Sequence, residues 1–255
     1  MLLEIKNITR MFGGICALYE VSFAVKQGEV HGLIGPNGAG KTTLINILSG
    51  IIPPTSGEVR YAGQQIQSLS IHRVAALGIA RTFQNIRLFS AMTCLENVLA
   101  GQHLVAKRPL LPRLLRLPSV RHEEQEYREK AMETLARVQL EHRADVQAKN
   151  LSYGERRRLE IARALASNPK LLLLDEPVAG MRQQELVQVA ELIKSLVADG
   201  MTILLIEHNM PFVMELCARI TVLNFGQTII TGSSEEVRSH PNVIEAYLGA
   251  PNVYA

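Results

Sequence analysis

The chain has 255 residues, 47% hydrophobic and 20% charged, with a formal net charge of +3, enough to bury a large core and too small a charge excess to point to nucleic acid. Its apolar runs stay well below the roughly 18 residues of a membrane span, and the start, with an acid at Glu4 and no long apolar stretch, is not a secretory signal. Cys16, Cys94 and Cys217 are isolated in sequence, so neither a disulfide framework nor a zinc site is indicated, and a cytoplasmic protein is expected.

Leu2 to Thr9 alternates loosely enough for a strand, and the sequence from Val21 reads as strand, Gln27-Gly28 turn, strand. Between them Phe12 lies in a glycine-containing segment, where its ring could stack on a purine base or plug a small core. The second of these strands feeds GPNGAGKTT, Gly35 to Thr43, which precedes a helix-patterned Leu44 to Gly50. This stretch fits the phosphate-loop pattern G-x-x-x-x-G-K-[ST] at Gly35, Gly40, Lys41 and Thr42. Glycines let backbone N–H groups turn inward, and the helix adds its free N–H groups and positive dipole end. Lys41 can then reach the β- and γ-phosphates of a nucleotide, and the Thr42 hydroxyl can join a Mg²⁺ shell. The plainer alternative is a glycine-rich turn between strand and helix. Downstream, Ser56 to Ile66 reads as turn, strand, turn; Ser70 to Gly78 as a short helix; and Ile79 to Asn85 as a strand running into Gln84.

From Met92 the pattern is helical, with Leu95, Val98 and Leu99 in one segment and Tyr127, Ala131, Leu135 and Val138 in a later one. Between them Lys107 to Arg121 holds three prolines and five basic residues without an acid, and cannot be one regular helix. It is expected to be an inserted loop or a broken pair of short helices. Leu151 to Ala166 opens on a capping box, Ser152 with Glu155, whose positive helix end also suits a second phosphate contact. LLLLDEP sets Asp175 and Glu176 at the exit of an all-apolar strand, where an open parallel sheet presents its ligand edge. The remainder alternates helix and strand to two short helices ending near Leu248. Such alternation indicates an α/β fold around a mostly parallel sheet.

The phosphate loop, LSYGE at Ser152, LLLLDEP at Asp175-Glu176 and IEH at His208, in that order, resemble an ATP-binding cassette ATPase of an ABC transporter. RTFQNIRLF around Gln84, EPVAGM, LLIEHNM and the terminal NVIEAYLG look like the LivG-type branch of branched-chain amino acid importers. The resemblance spans essentially the whole chain. It implies a P-loop NTPase fold: a RecA-like core with an antiparallel β subdomain (1–84 and 161–255) and an α-helical subdomain (85–160) that contains the 107–121 insertion. It also implies that Phe12 stacks on adenine and that Gly35, Pro36, Asn37, Gly38, Ala39, Gly40, Lys41, Thr42 and Thr43 hold the triphosphate of ATP. By the same resemblance Thr42, Gln84 and Asp175 serve Mg²⁺, Gln84 also touches the attacking water, Glu176 is the general base and His208 senses the γ-phosphate. Ser152, Tyr153, Gly154 and Glu155 would face the nucleotide of a second ATP-binding subunit in a head-to-tail dimer. Transmembrane permeases and, indirectly, a periplasmic solute-binding protein complete the implied assembly on the cytoplasmic face of the inner membrane, with the 107–121 insertion near lipid or permease.

Tyr153 stands where most of the wider family has glycine, which agrees with the LivG branch, and Glu155 replaces the usual glutamine. Arg182 stands where the wider family has Asp and this branch commonly Asn, which puts the usual cross-dimer contact in doubt. Lipopolysaccharide-exporting cassettes look similar, and Tyr153 with the insertion favours an importer; urea and other amide or amino acid importers use similar cassettes. Soluble cassette proteins of repair or translation carry tandem cassettes, coiled coils or zinc insertions, none of which is present.

Overall fold

The computed structural model describes residues 1–102 and 118–248; of the expected insertion, residues 107–117 lie outside them. The strands are β1 (Leu3–Phe12), β2 (Ile15–Val25), β3 (Val30–Ile34), β4 (Ser56–Tyr61), β5 (Gln64–Gln65), β6 (Ile79–Arg81), β7 (Leu171–Asp175), β8 (Thr202–Ile206), β9 (Arg219–Asn224) and β10 (Gln227–Gly232). The helices are α1 (Lys41–Leu48), α2 (Ile71–Ala76), α3 (Cys94–Gly101), α4 (Pro118–Arg137), α5 (Tyr153–Leu165), α6 (Gln183–Ala198), α7 (Met210–Leu216), α8 (Ser234–Ser239) and α9 (Pro241–Leu248).

Every residue of β3, β7 and β8 is buried, as expected for apolar strands covered on both faces. Their side chains alternate between two cores. Leu33, Leu171, Leu173, Leu204 and Ile206 join α1 and the antiparallel strands, while Ile34, Leu172, Leu174, Ile203 and Leu205 join α3, α4, α5 and α6. One sheet has the order β10-β9-β3-β8-β7-β6, with β10 antiparallel to β9 and the other pairs parallel. A second, antiparallel sheet has the order β2-β1-β4-β5. Truncating a leucine in either core to alanine should cost about 2–5 kcal/mol.

The parallel register puts the C-terminal ends of β3, β7 and β8 on one edge, with Leu33 beside Ile206 and Asp175 beside Ile206. The segments that follow these ends therefore meet there: Gly35 to Gly40, Glu176, and Glu207 to Asn209. Two expectations change. β1 runs past the expected end at Thr9 to Phe12 and turns through Gly13 into β2, so Phe12 ends a strand. The strand expected to reach Gln84 stops at Arg81, because the backbone groups of Phe83 and Gln84 are taken by side chains of α5 instead of a neighbouring strand.

Candidate functional site

Two glycines of the loop leaving β3 have a steric reason. A Cβ on Gly40 would stand 2.6 Å from Leu18 Cδ2 and 2.7 Å from Ala17 O, and its φ of 97° already favours glycine. A Cβ on Gly35 would stand 2.2 Å from Leu223 O. The loop is thereby pressed between β2 and the end of β9, with Gly40 as the N-cap of α1. Lys41, the first residue of α1, is only 8% exposed, and its Nζ donates to Gly35 O at 2.6 Å and Pro36 O at 2.9 Å. Burial pulls its pKa below the ordinary lysine value, against the Glu176 and Asp175 carboxylates, which favour the charge. Thr42 is exposed beside it.

Across from this loop, Asp175 ends β7, and its Oδ2 accepts a hydrogen bond from Arg81 Nη2 at 3.0 Å. Arg81 also donates to Asn46 Oδ1 at 2.7 Å and Ser49 Oγ at 3.1 Å, so it ties β7 to α1. Glu176 follows with φ of 49°, a left-handed conformation that costs a non-glycine residue about 1–3 kcal/mol and that recurs at functional sites. Its N–H still donates to Ile206 O at 2.9 Å, and its Oε2 accepts from Gln84 Nε2 at 3.0 Å. His208 Nδ1 lies 3.9 Å from Glu176 Oε1 and 3.8 Å from Glu207 Oε2. Glu207 is fully buried and accepts the N–H groups of Val178 at 3.0 Å, His208 at 3.0 Å and Asn209 at 3.4 Å. It joins the segment after Glu176 to the one carrying His208. Burial raises its pKa despite these donors.

A cleft of ≈ 390 Å³ gathers Asn37, Gly38, Ala39, Gly40, Lys41, Thr42, Thr43, Gln84, Asp175 and Glu176. Ile15 and Phe225, 72% and 86% exposed, form its apolar rim together with Cys16. His208 stands beside this cleft without lining it, as its side chain is 60% exposed. Phe12 is also outside the wall; at 43% exposed it does not plug a core, and the Arg10 guanidinium covers its ring at 4.6 Å. The capping box is present, with Ser152 Oγ accepting from Glu155 N at 3.3 Å and Glu155 Oε2 accepting from Ser152 N at 2.8 Å. Ser152, Tyr153, Gly154 and Glu155 lie at the N-terminus of α5, away from the cleft. Sequence reasoning missed Arg81, Glu207 and Phe225; of these only Glu207, inside IEH, stood next to a residue already singled out.

A family model described as ABC transporter matches residues 18–179, and one described as branched-chain amino acid ATP-binding cassette transporter matches residues 227–251. The chain is 43% identical to the high-affinity branched-chain amino acid transport ATP-binding protein BraF of Pseudomonas aeruginosa, over 97% of this chain and 98% of that protein. Identity and coverage are the same for LivG of Escherichia coli, a protein of the same description. Among solved structures, the ADP conformation of an ATP-binding cassette of an ABC transporter superposes with a TM-score of 0.85 at 35% identity, covering 98% of this chain and 99% of that one. A dimeric bacterial ABC transporter cassette superposes with a TM-score of 0.77 at 28% identity, covering 91% of this chain and 98% of that one. With motif order, sheet topology and near full-length similarity in agreement, the chain belongs to the ABC transporter family, among its ATP-binding cassettes of the branched-chain amino acid branch.

Proposed function

We propose that the chain hydrolyses ATP to power an importer of branched-chain or other hydrophobic amino acids. The observation that carries this reading is the single cleft in which the phosphate loop faces Asp175 and Glu176, with Gln84 hydrogen-bonded to Glu176 at 3.0 Å. The Lys41 ammonium, held on two loop carbonyls, exchanges them for β- and γ-phosphate oxygens, and the N–H groups at the start of α1 take the rest of the phosphate charge. Thr42, Gln84 and Asp175 offer the oxygen donors that Mg²⁺ prefers, so the residues fit that ion. When bound, Mg²⁺ neutralises charge on the phosphates. Glu176 takes the proton of the attacking water on Oε1 while Oε2 stays with Gln84. His208, beside Glu176, meets the γ-phosphate, and Phe12 offers its exposed face to adenine in exchange for Arg10.

Two phosphate-suited helix ends in one chain, at α1 and at α5, support a head-to-tail dimer in which Ser152 and its neighbours close over the nucleotide of a second ATP-binding subunit. Within the 85–160 region, the described helices α3, α4 and α5 form the helical unit that carries them. No helix among the described residues is long and apolar enough to cross a membrane, so transport requires transmembrane permeases, which this subunit serves from the cytoplasmic face, and a periplasmic binding protein delivers the solute. The test is ATP-dependent uptake of labelled leucine by proteoliposomes holding the chain, its second ATP-binding subunit and its permeases, with the solute-binding protein supplied on the opposite side. Uptake with the wild type and none with Lys41→Ala is the expected result. ATP hydrolysis stimulated by an unrelated solute and never by leucine, isoleucine or valine would replace the substrate assignment.

A further inference from the structure

Arg157 and Glu160 on α5 are 2% and 1% exposed, their side chains meet at 3.1 Å, and none of the roles above uses them. A buried ion pair costs more in desolvation than it returns unless its remaining donors and acceptors are well used. Here both terminal guanidinium nitrogens and both carboxylate oxygens are used, most of them on one short segment, and the buried Arg157 Nε is left without a hydrogen-bond partner among the described residues. Arg157 Nη1 donates to Phe83 O at 2.6 Å and Nη2 to Gln84 O, while Glu160 Oε1 accepts from Phe83 N at 3.4 Å and Arg87 N at 3.3 Å. The helix face thus binds the backbone on both sides of Gln84, whose side chain reaches Glu176. Ser152, the N-cap of the same helix, precedes Arg157 by less than two turns, a rigid separation of about 7–8 Å at 1.5 Å per residue.

We propose that Arg157 and Glu160 are positioning residues that strap the Gln84 segment to α5, so that a movement of the α5 N-terminus shifts Gln84 against Glu176. The proposal rests on the reading above that Gln84 and Glu176 belong to the hydrolytic site and Ser152 to a neighbour's nucleotide. It supplies a physical route by which a nucleotide bound at the N-terminus of α5 changes how Gln84, held one to two turns further along, meets Glu176. The fork of Arg157 matters, because a lysine keeps the charge but cannot span two carbonyls.

The test uses the full chain in a Cys16→Ser background with a spin label on a cysteine introduced at exposed Asn85. Label mobility is recorded with and without Mg²⁺ and a hydrolysis-resistant ATP analogue, beside kcat and KM. Replacing both charges at once, Arg157→Met with Glu160→Met, avoids an unpaired buried charge. This variant should bind the analogue like the wild type and show a KM for ATP close to it, yet lose about tenfold or more in kcat and lose the nucleotide-dependent change in label mobility. Should the double variant not fold, Arg157→Lys carries the same expectation, with melting near the wild type and kcat reduced. A folded variant with wild-type kcat and an intact label response overturns the strap. Gln84→Ala separates the two levels: if it also leaves kcat unchanged, the reading of the site fails, and if it lowers kcat while the strap variants do not, only the strap is wrong.

Discussion

Lys41 and Ser152 are both expected to meet phosphate, but they lie in different places and should fail differently. Lys41 is buried against its own loop and lines the cleft, so Lys41→Ala removes charge-assisted hydrogen bonds worth about 1.5–3 kcal/mol, a loss of roughly ten- to hundredfold in ATP affinity of the monomer. Ser152→Ala removes an N-cap, costing about 1 kcal/mol of stability, and should leave monomer ATP affinity intact while ATP-driven dimerisation fails. Equal losses of affinity, measured by titration with a fluorescent ATP analogue, would contradict a site shared between subunits. Arg182 is a third case. It is exposed at the N-cap position of α6, where its cation opposes the helix dipole and its side chain cannot accept an N–H. Arg182→Asn should therefore stabilise the fold by about 0.5–1 kcal/mol in denaturant unfolding, since asparagine is among the best caps. The same substitution should also alter hydrolysis or dimer affinity, since the position departs from the branch's usual residue; unchanged stability and rates would make the departure neutral.

The elements make a test of their own through the thiols. Cys94 opens α3 and Cys217 follows the last residue of α7 as its C-cap; both are buried, and burial lifts their pKa values to about 11 and about 12. Cys16, on β2 at the rim of the cleft, is exposed. A thiol-specific reagent at neutral pH should modify Cys16 alone in the native chain and all three cysteines after unfolding; rapid native labelling of Cys94 or Cys217 would mean that α3 or α7 opens locally. What could be read from sequence at this scale was whatever is encoded locally. The apolar runs of β7 and β8 could only be strands covered on both faces, and the Ser152 and Glu155 pair fixed where α5 begins. Equivalent boxes at Thr93 with Glu96 and Ser233 with Glu236 carry the same local signal. The end of β6 was not legible, because the groups that end it, Arg157 and Glu160, lie more than seventy residues away. Nor was the Arg81 link to Asp175, since an arginine in a short strand carries no local sign of its partner.

For the whole molecule, residues of the phosphate loop from Asn37 to Thr43 line one cleft with Gln84, Asp175 and Glu176, because the strand order brings the segments after β3 and β7 onto one sheet edge. The sequence could not show that Phe12 would end a strand beneath Arg10, or that Phe225 would stand at the rim, since both depend on how the second sheet docks. The proposed hydrolysis depends on Glu176 accepting the proton of the attacking water. The decisive variant is Glu176→Gln, because an amide oxygen can still accept from Gln84 Nε2 while the side chain no longer takes up a proton at neutral pH. General-base catalysis is worth about 10²–10⁴ in rate, or about 3–5.5 kcal/mol of barrier. The direct measurement is steady-state ATP hydrolysis by Glu176→Gln assembled with its permeases. Turnover should fall about a hundredfold or more, with ATP still bound and closed dimers accumulating; hydrolysis close to the wild-type rate would remove Glu176 from the general-base role.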